Sequence, residues 1–217
     1  MTDFEFHRLL EIDPPLRRQW LLDHRPPNVS TFHWWLYLIE SAVQDVRWQR
    51  MGWPLRRPAA DVELAASLIE WALEQGFPLA HAVEDLAWLS LSALEAGDEI
   101  ADLPEVLRPD GIAQRVLGGF TMSRQEAVDR AARLRSIPVT EDDFARPGED
   151  IGAMLRALAE TDEYRDTHRL IDMQRALTGL APIVGLIGDT GLAAEVRAWL
   201  GVVPDLDSYA PDLSGPP

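Results

Sequence analysis

The chain contains no cysteine and no lysine, so all 20 of its basic residues are arginines. Without cysteine the chain forms no disulfides, binds no metal through thiolates and has no cysteine nucleophile. The absence of lysine is typical of a GC-rich genome, which uses arginine codons in place of lysine codons. These absences remove covalent cross-links and thiolate chemistry from consideration.

Long apolar runs are missing as well. The longest lies near residues 32–39 and is interrupted by His33, well short of the ~20 residues that a membrane-spanning helix needs. The first residues, Met-Thr-Asp-Phe-Glu-Phe-His, have neither the basic start nor the apolar stretch of a signal peptide. We therefore expect a cytoplasmic protein that does not insert into a membrane.

The sequence also lacks the common catalytic and metal-binding signatures. It has no His-Glu-x-x-His, no Glu-x-x-His and no Gly-x-Ser-x-Gly. His81 shares a helix face with Glu84 and Asp85, but one histidine paired with one carboxylate supplies only half of the ligands of a metal site. The glycine-rich residues 185–191 lack the Lys-Ser/Thr ending of a phosphate-binding P-loop.

One further polar set lies on a predicted helix. Tyr164, His168 and Asp172 follow one another at intervals of four residues, a pattern typical of the solvated side of an amphipathic helix. We therefore predict no catalytic residue, no metal and no cofactor, and favour a protein that is not an enzyme.

The composition is that of a globular protein: 47% of the 217 residues are hydrophobic and eight are tryptophan. Apolar residues recur at intervals of three and four, and this predicts an all-α fold of about ten helices. We expect a globular bundle or a stack of helical hairpins, in a single domain over residues 1–203. If the chain does divide, the boundary is expected in 98–110 or 136–149, and residues 138–147 are predicted to form a loop. Residues 204–217 contain four prolines, which predict a loose C-terminal tail.

Proline, glycine and capping residues indicate where the helices begin and end. Asp61 is an expected N-cap, Asp189 or Thr190 is expected to cap the last helix, and Ser123 with Glu126 forms a capping-box pattern. The predicted helices cover residues 4–12, 16–23, 31–51, 61–75, 78–96, 111–117, 124–135, 150–160, 162–177, 182–187 and 192–200.

The formal net charge is −16, and it is concentrated in one part of the chain. Residues 61–107 contain eleven acidic residues and no arginine. A chain this acidic repels nucleic acid and anionic lipid, because binding to both depends on basic residues that neutralise phosphate. An acidic block of this kind is either a solvated face or a surface for a basic partner.

The two helices predicted over residues 61–75 and 78–96 form the acidic hairpin, and each has a tryptophan near carboxylates. On a helical wheel Leu64 and Leu68 lie nearly opposite the core stripe of the first helix, and Ser92 lies with Trp88 on the outward face of the second. Carboxylates bind arginine or lysine, and the ring of tryptophan stacks on cations. We therefore expect this surface to bind a basic protein. Its predicted partner-binding residues are Glu63, Glu70, Trp71, Glu74, Glu84, Asp85, Trp88 and Glu95. The alternative is a solvated face in which both tryptophans are covered by neighbouring helices.

The helix predicted over residues 31–51 is apolar on two sides. One side is the expected core stripe, and the other has Trp34, Tyr37 and Trp48. Such a helix is either central in the fold or carries a second binding patch made of these three aromatic residues.

Three functional hypotheses follow. The first is an acidic, non-enzymatic module that holds a basic protein, as immunity proteins, antitoxins, secretion chaperones and nucleic-acid mimics do. The second is a helical bundle that encloses a small molecule or a metal, with or without catalysis, lined by the aromatic patch and His33, His81 or His168. The third is an assembly subunit in which the aromatic face closes a homodimer.

Overall fold

A computed structural model describes residues 6–53, 60–137, 153 and 159–206. These residues form helices and contain no β-strand, which confirms the predicted all-α class. In the first half the helices are α1 His7–Leu10, α2 Pro14–Asp23, α3 Thr31–Arg50, α4 Val62–Glu74, α5 Leu79–Ala96 and α6 Pro109–Gly118. Two 3-10 turns, Ile100–Asp102 and Glu105–Leu107, precede α6.

The second half continues with α7 Arg124–Arg135, α8 Asp162–Leu180, the 3-10 segment Ala181–Leu186, α9 Thr190–Leu200 and α10 Val203–Leu206. Within the described ranges, no helix is both long enough and apolar enough to cross a membrane. The loop predicted over 138–147 lies outside the described residues, as does the helix predicted over 150–160 apart from residues 153, 159 and 160.

The chain divides into two compact units, Met1–Ile112 and Ala113–Pro217. The division falls inside α6, a few residues after the 98–110 segment that the sequence marks as one of two candidate boundaries. The single domain expected over residues 1–203 stays a prediction.

Side-chain caps start several helices where the sequence predicts them. The Asp61 carboxylate accepts a hydrogen bond from the Leu64 amide at 2.8 Å, and Asp189 accepts from the Gly191 amide at the same distance. Ser123 and Glu126 form both bonds of the capping box. Gly97 ends α5 with φ +104°, a conformation that glycine adopts without steric cost.

Two elements differ from the prediction. Pro14 and Pro15 are the first two residues of α2 rather than a break before it, because the first turn of a helix does not need their missing N–H donors. Residues 181–186 form a 3-10 segment instead of the helix predicted over 182–187.

In the first unit α4 packs against both α3 and α5. The ring of Phe32, at the start of α3, lies 5.3 Å from that of His81 near the start of α5. At the other end Arg50 pairs with Glu95. Hence α3 and α5 run in the same direction, and α4 runs between them in the opposite one.

The central position of α4 corrects one detail of the sequence analysis. Leu64 and Leu68, which we expected nearly opposite the core, are buried. Helices pack on two sides of α4, and both sides therefore belong to the interior.

The second unit has its own core. Helix α7 packs against α8, α9 packs against α8, and the short α10 contacts both α7 and α8. The core side chains are Met122, Ala127, Ala131, Leu170, Met173, Leu177, Trp199 and Leu206.

The predicted C-terminal tail differs at its beginning. Residues 204–206 belong to α10, and Leu206 is buried in the core of the second unit. Val203 packs against the same core, and Arg135 donates to the Asp205 carbonyl at 3.1 Å, so apolar packing and a hydrogen bond hold this turn. Residues 207–217 of the predicted tail lie outside the described residues.

Candidate functional site

The acidic hairpin consists of α4 and α5, which pack against each other. Of its predicted partner-binding residues, Glu63, Glu74, Glu84 and Glu95 are exposed, and Glu70, Trp71, Asp85 and Trp88 are half-buried. Ser92, which we expected on the outward face with Trp88, is buried. The hairpin therefore presents carboxylates to solvent and keeps both tryptophans partly covered.

Arginines from earlier helices neutralise part of this surface. Arg18 of α2 pairs with Glu74. From the last turn of α3, Arg47 lies 3.7 Å from Asp85, and Arg50 lies 3.4 Å from Glu95. A segment without arginine in sequence thus has three beside it in space.

Arg47 also makes the cation–π contact that we expected from a partner. Its guanidinium carbon lies 4.8 Å from the centre of the Trp88 ring. Such a contact contributes about 0.5–1 kcal/mol at a partly exposed site. One tryptophan of the acidic hairpin therefore already stacks on a cation of the same chain.

Beside Arg47 an open cleft lies between α3 and α5, with a volume of about 440 Å³. We call it the α3–α5 cleft. Its lining residues are Glu40, Ser41, Val43, Gln44, Asp45, Arg47, Trp48 and Asp85. Three of these are carboxylates and one is an arginine, so the cleft has an excess of negative charge.

Asp85 is the carboxylate that α5 contributes to the α3–α5 cleft. Burial raises its pKa from 3.8 to about 6; the charge of Arg47 acts in the opposite direction, and the charges of Glu84 and Glu40 raise the pKa further. Arg47 alone does not offset the cost of burying this charge. A second cation in the cleft would favour the ionised form.

Asp45 forms part of the inner wall of the α3–α5 cleft. It is 1% exposed, and it accepts a hydrogen bond from the Ala60 amide at 3.2 Å. Gln49 donates to the Ala60 carbonyl at 3.1 Å. These two bonds tie the residue just before α4 to α3, and they fix the position of the Asp45 carboxylate.

The three aromatic residues of the predicted second binding patch, Trp34, Tyr37 and Trp48, differ in how deeply they are buried. Trp34 is buried, and its indole N–H donates to the Leu21 carbonyl at 3.0 Å. Tyr37 and Trp48 are half-buried. Trp53, which sequence analysis did not single out, is 58% exposed, and its ring lies 6.3 Å from that of Trp48. The burial of Trp34 and Trp35 favours the interpretation of α3 as a central helix.

Of the histidines in the second hypothesis, His33 and His81 both lie against the Phe32 ring in the first unit, and His168 lies in the second unit. His33 bonds to the Ser30 hydroxyl at 2.7 Å, and His81 lies against Phe32. In the second unit the rings of His168 and Tyr164 are 4.2 Å apart. Among the residues that the structure describes, no group of three His, Asp or Glu side chains is arranged to hold a metal ion.

The chain has no significant match to any protein-family model, curated protein or solved structure. The α3–α5 cleft combines carboxylate oxygens, an aromatic wall from Trp48 and an opening to solvent. These features suit the cationic end of an arginine or lysine side chain.

Proposed function

We propose that the protein binds a basic protein partner through its acidic hairpin, and that the α3–α5 cleft receives an arginine or lysine side chain of that partner. The observation that carries this proposal is the cleft itself, in which Glu40, Asp45 and Asp85 line a space of about 440 Å³ with Arg47 as the one lining cation. A partner's cation would supply the positive charge that the cleft needs.

The ion pairs within the chain do not close this surface. Glu95 remains 75% exposed although Arg50 lies 3.4 Å away, and Glu74 remains 49% exposed beside Arg18. Exposed pairs of this kind contribute about 0–1 kcal/mol. An approaching basic protein can therefore exchange with either arginine at little cost.

The surface also suits long-range attraction. Glu63 and Glu84 are exposed on α4 and α5, in a molecule with a net charge of −16. Such a field raises the rate of association with a basic protein, and salt weakens the effect.

The experiment measures binding of a labelled oligo-arginine peptide by fluorescence anisotropy in about 50 mM and about 300 mM salt. The test variant is Asp85→Asn with Glu40→Gln, which removes two carboxylates from the α3–α5 cleft. The matched control is Asp98→Asn with Glu99→Gln, which removes two exposed carboxylates outside it. Both variants have the same net charge.

We expect the test variant to bind about tenfold more weakly than the control, because hydrogen-bonded charge pairs contribute more than distant charges. Equal affinity of the two variants would show that net charge alone attracts the peptide and would contradict a role for the cleft. Absence of binding by the natural chain in low salt would contradict the proposed function as a whole.

A further inference from the structure

A second charged cluster lies in the other unit, where α7 and α8 pack together. At its centre is Asp166 of α8, which is 4% exposed. Arg130 donates to one oxygen of this carboxylate, and Arg133 donates to the other at 2.7 Å. Arg169, one turn along α8, lies 3.9 Å from Asp166. We call these four residues the arginine cluster.

The charges of the arginine cluster do not balance. Three guanidinium groups surround one carboxylate, which leaves two positive charges in excess. Arginines this close repel one another unless an anion lies between them. Arg133 and Arg169 are 58% and 57% exposed, and each keeps most of its N–H donors available.

The arginine cluster borders a cleft of about 480 Å³, which is also lined by Asp162, Glu163 and Arg165. Arg165 is engaged elsewhere, because it donates to the Thr161 and Glu160 carbonyls and lies 3.5 Å from Asp162. The opposite charges of Arg165 and Asp162 therefore largely cancel each other. The exposed Glu163 is the remaining negative charge in the lining, so the cleft as a whole is positive.

We infer that this cleft binds the phosphate group of a small anion. Asp166 holds Arg130 and Arg133 in fixed positions, and a preorganised guanidinium matches the geometry of phosphate oxygens. A phosphate ester has three acceptor oxygens and a charge of about −1.5 to −2 at neutral pH, which matches the positive charge in excess better than the single charge of a carboxylate does. The net charge of −16 acts against a long polyanion, and for this reason the ligand is a small molecule rather than nucleic acid.

The experiment titrates the full chain with inorganic phosphate, diphosphate and glycerol 3-phosphate by calorimetry, at constant ionic strength maintained with chloride. Acetate is the carboxylate control. We expect saturable binding of at least one phosphate compound and none of acetate. The compound that binds most tightly distinguishes free phosphate from a phosphate ester as the source of the group.

The test variants are Arg133→Gln and Arg169→Gln, and the matched control is Arg197→Gln, an exposed arginine of α9 outside the cleft. Both test residues are largely exposed, and Asp166 keeps Arg130 as a partner in each variant. Each test variant should bind about tenfold more weakly than the control, since each loses a charge-assisted hydrogen bond to the phosphate group.

Three results would overturn the inference. The first is the absence of binding of all three phosphate compounds, and the second is acetate binding as tight as theirs. The third is equal affinity in the Arg133, Arg169 and Arg197 variants. Circular dichroism of each variant shows whether the helices are retained, so loss of binding is not confused with loss of fold.

Discussion

Replacing Asp85 with asparagine removes the charge that α5 contributes to the α3–α5 cleft while keeping the shape of the side chain. In the natural chain, burial raises the pKa of Asp85 from 3.8 to about 6, even though the charge of Arg47 opposes this. The folded protein therefore holds this proton more tightly than the unfolded chain does. Ionisation of Asp85 opposes folding, and Asp85→Asn should stabilise the protein at neutral and alkaline pH.

The size of the effect follows from the two pKa values. The rise of the Asp85 pKa from 3.8 to about 6 corresponds to an additional free-energy cost of about 3 kcal/mol for ionising Asp85 in the folded chain. Because the Asp85 side chain is 20% exposed, we expect about 2–3 kcal/mol at about pH 8. The stability that comes from the bound proton is fully present below pH 3.8 and is lost as the pH rises through about 6. The increase in the free energy of unfolding that Asp85→Asn produces should therefore fall to about 1 kcal/mol at about pH 4.5.

Urea unfolding followed by tryptophan fluorescence measures this difference. Seven of the eight tryptophans lie before residue 112, so the signal reports mainly on the unit that contains Asp85. The control is Asp98→Asn, the same chemical change at an exposed position, which should alter the free energy of unfolding by less than about 0.5 kcal/mol. If Asp85→Asn is instead less stable than the natural chain at about pH 8, attraction to Arg47 outweighs burial and our reasoning is wrong.

Three further changes test other parts of the structure. Among the residues that the structure describes, none forms a hydrogen bond with the buried Ser90 hydroxyl. Ser90→Ala should therefore raise the free energy of unfolding by about 1 kcal/mol in a urea titration; a lower stability would mean that the hydroxyl has a partner. Ser123→Ala removes the N-cap of α7 and should cost about 1 kcal/mol, measured by thermal unfolding, whereas an unchanged midpoint would argue against the capping box. Asp166→Asn leaves Arg130 and Arg133 without their shared carboxylate and should lower the free energy of unfolding by about 2 kcal/mol. The control Asp162→Asn, at an exposed ion pair, should lower it by less than about 0.5 kcal/mol. Equal losses in the two variants would show that burial of Asp166 adds nothing.

The sequence was sufficient for the features that depend on near neighbours. The start of α4 at Asp61, the capping box at Ser123 and the end of α5 at Gly97 each involve residues within one helical turn. Contacts between residues this close in sequence can be predicted from the sequence alone, and the structure confirms these three. The all-α class follows from the same short-range periodicity.

The α3–α5 cleft could not be predicted from sequence patterns of this kind. Helices α3 and α5 are not consecutive, and the pairing of Arg47 with Asp85 depends on how both pack around α4. A helical wheel shows that Asp85 faces away from the core stripe, but it does not show that α3 covers it. The arginines near the end of α3 were the one available signal, since cations there would pair with acidic residues on a neighbouring helix.

The parallel arrangement of α3 and α5 has a consequence for any fragment of this protein. An excised hairpin of residues 61–97 would keep its carboxylates and both tryptophans but would lose Arg18, Arg47 and Arg50 together with every residue that lines the cleft except Asp85. It would attract cationic peptides by charge density alone, with little preference for where their arginines lie. If the protein binds a basic partner as we propose, selectivity among basic sequences would therefore require the whole folded unit and not the acidic segment alone.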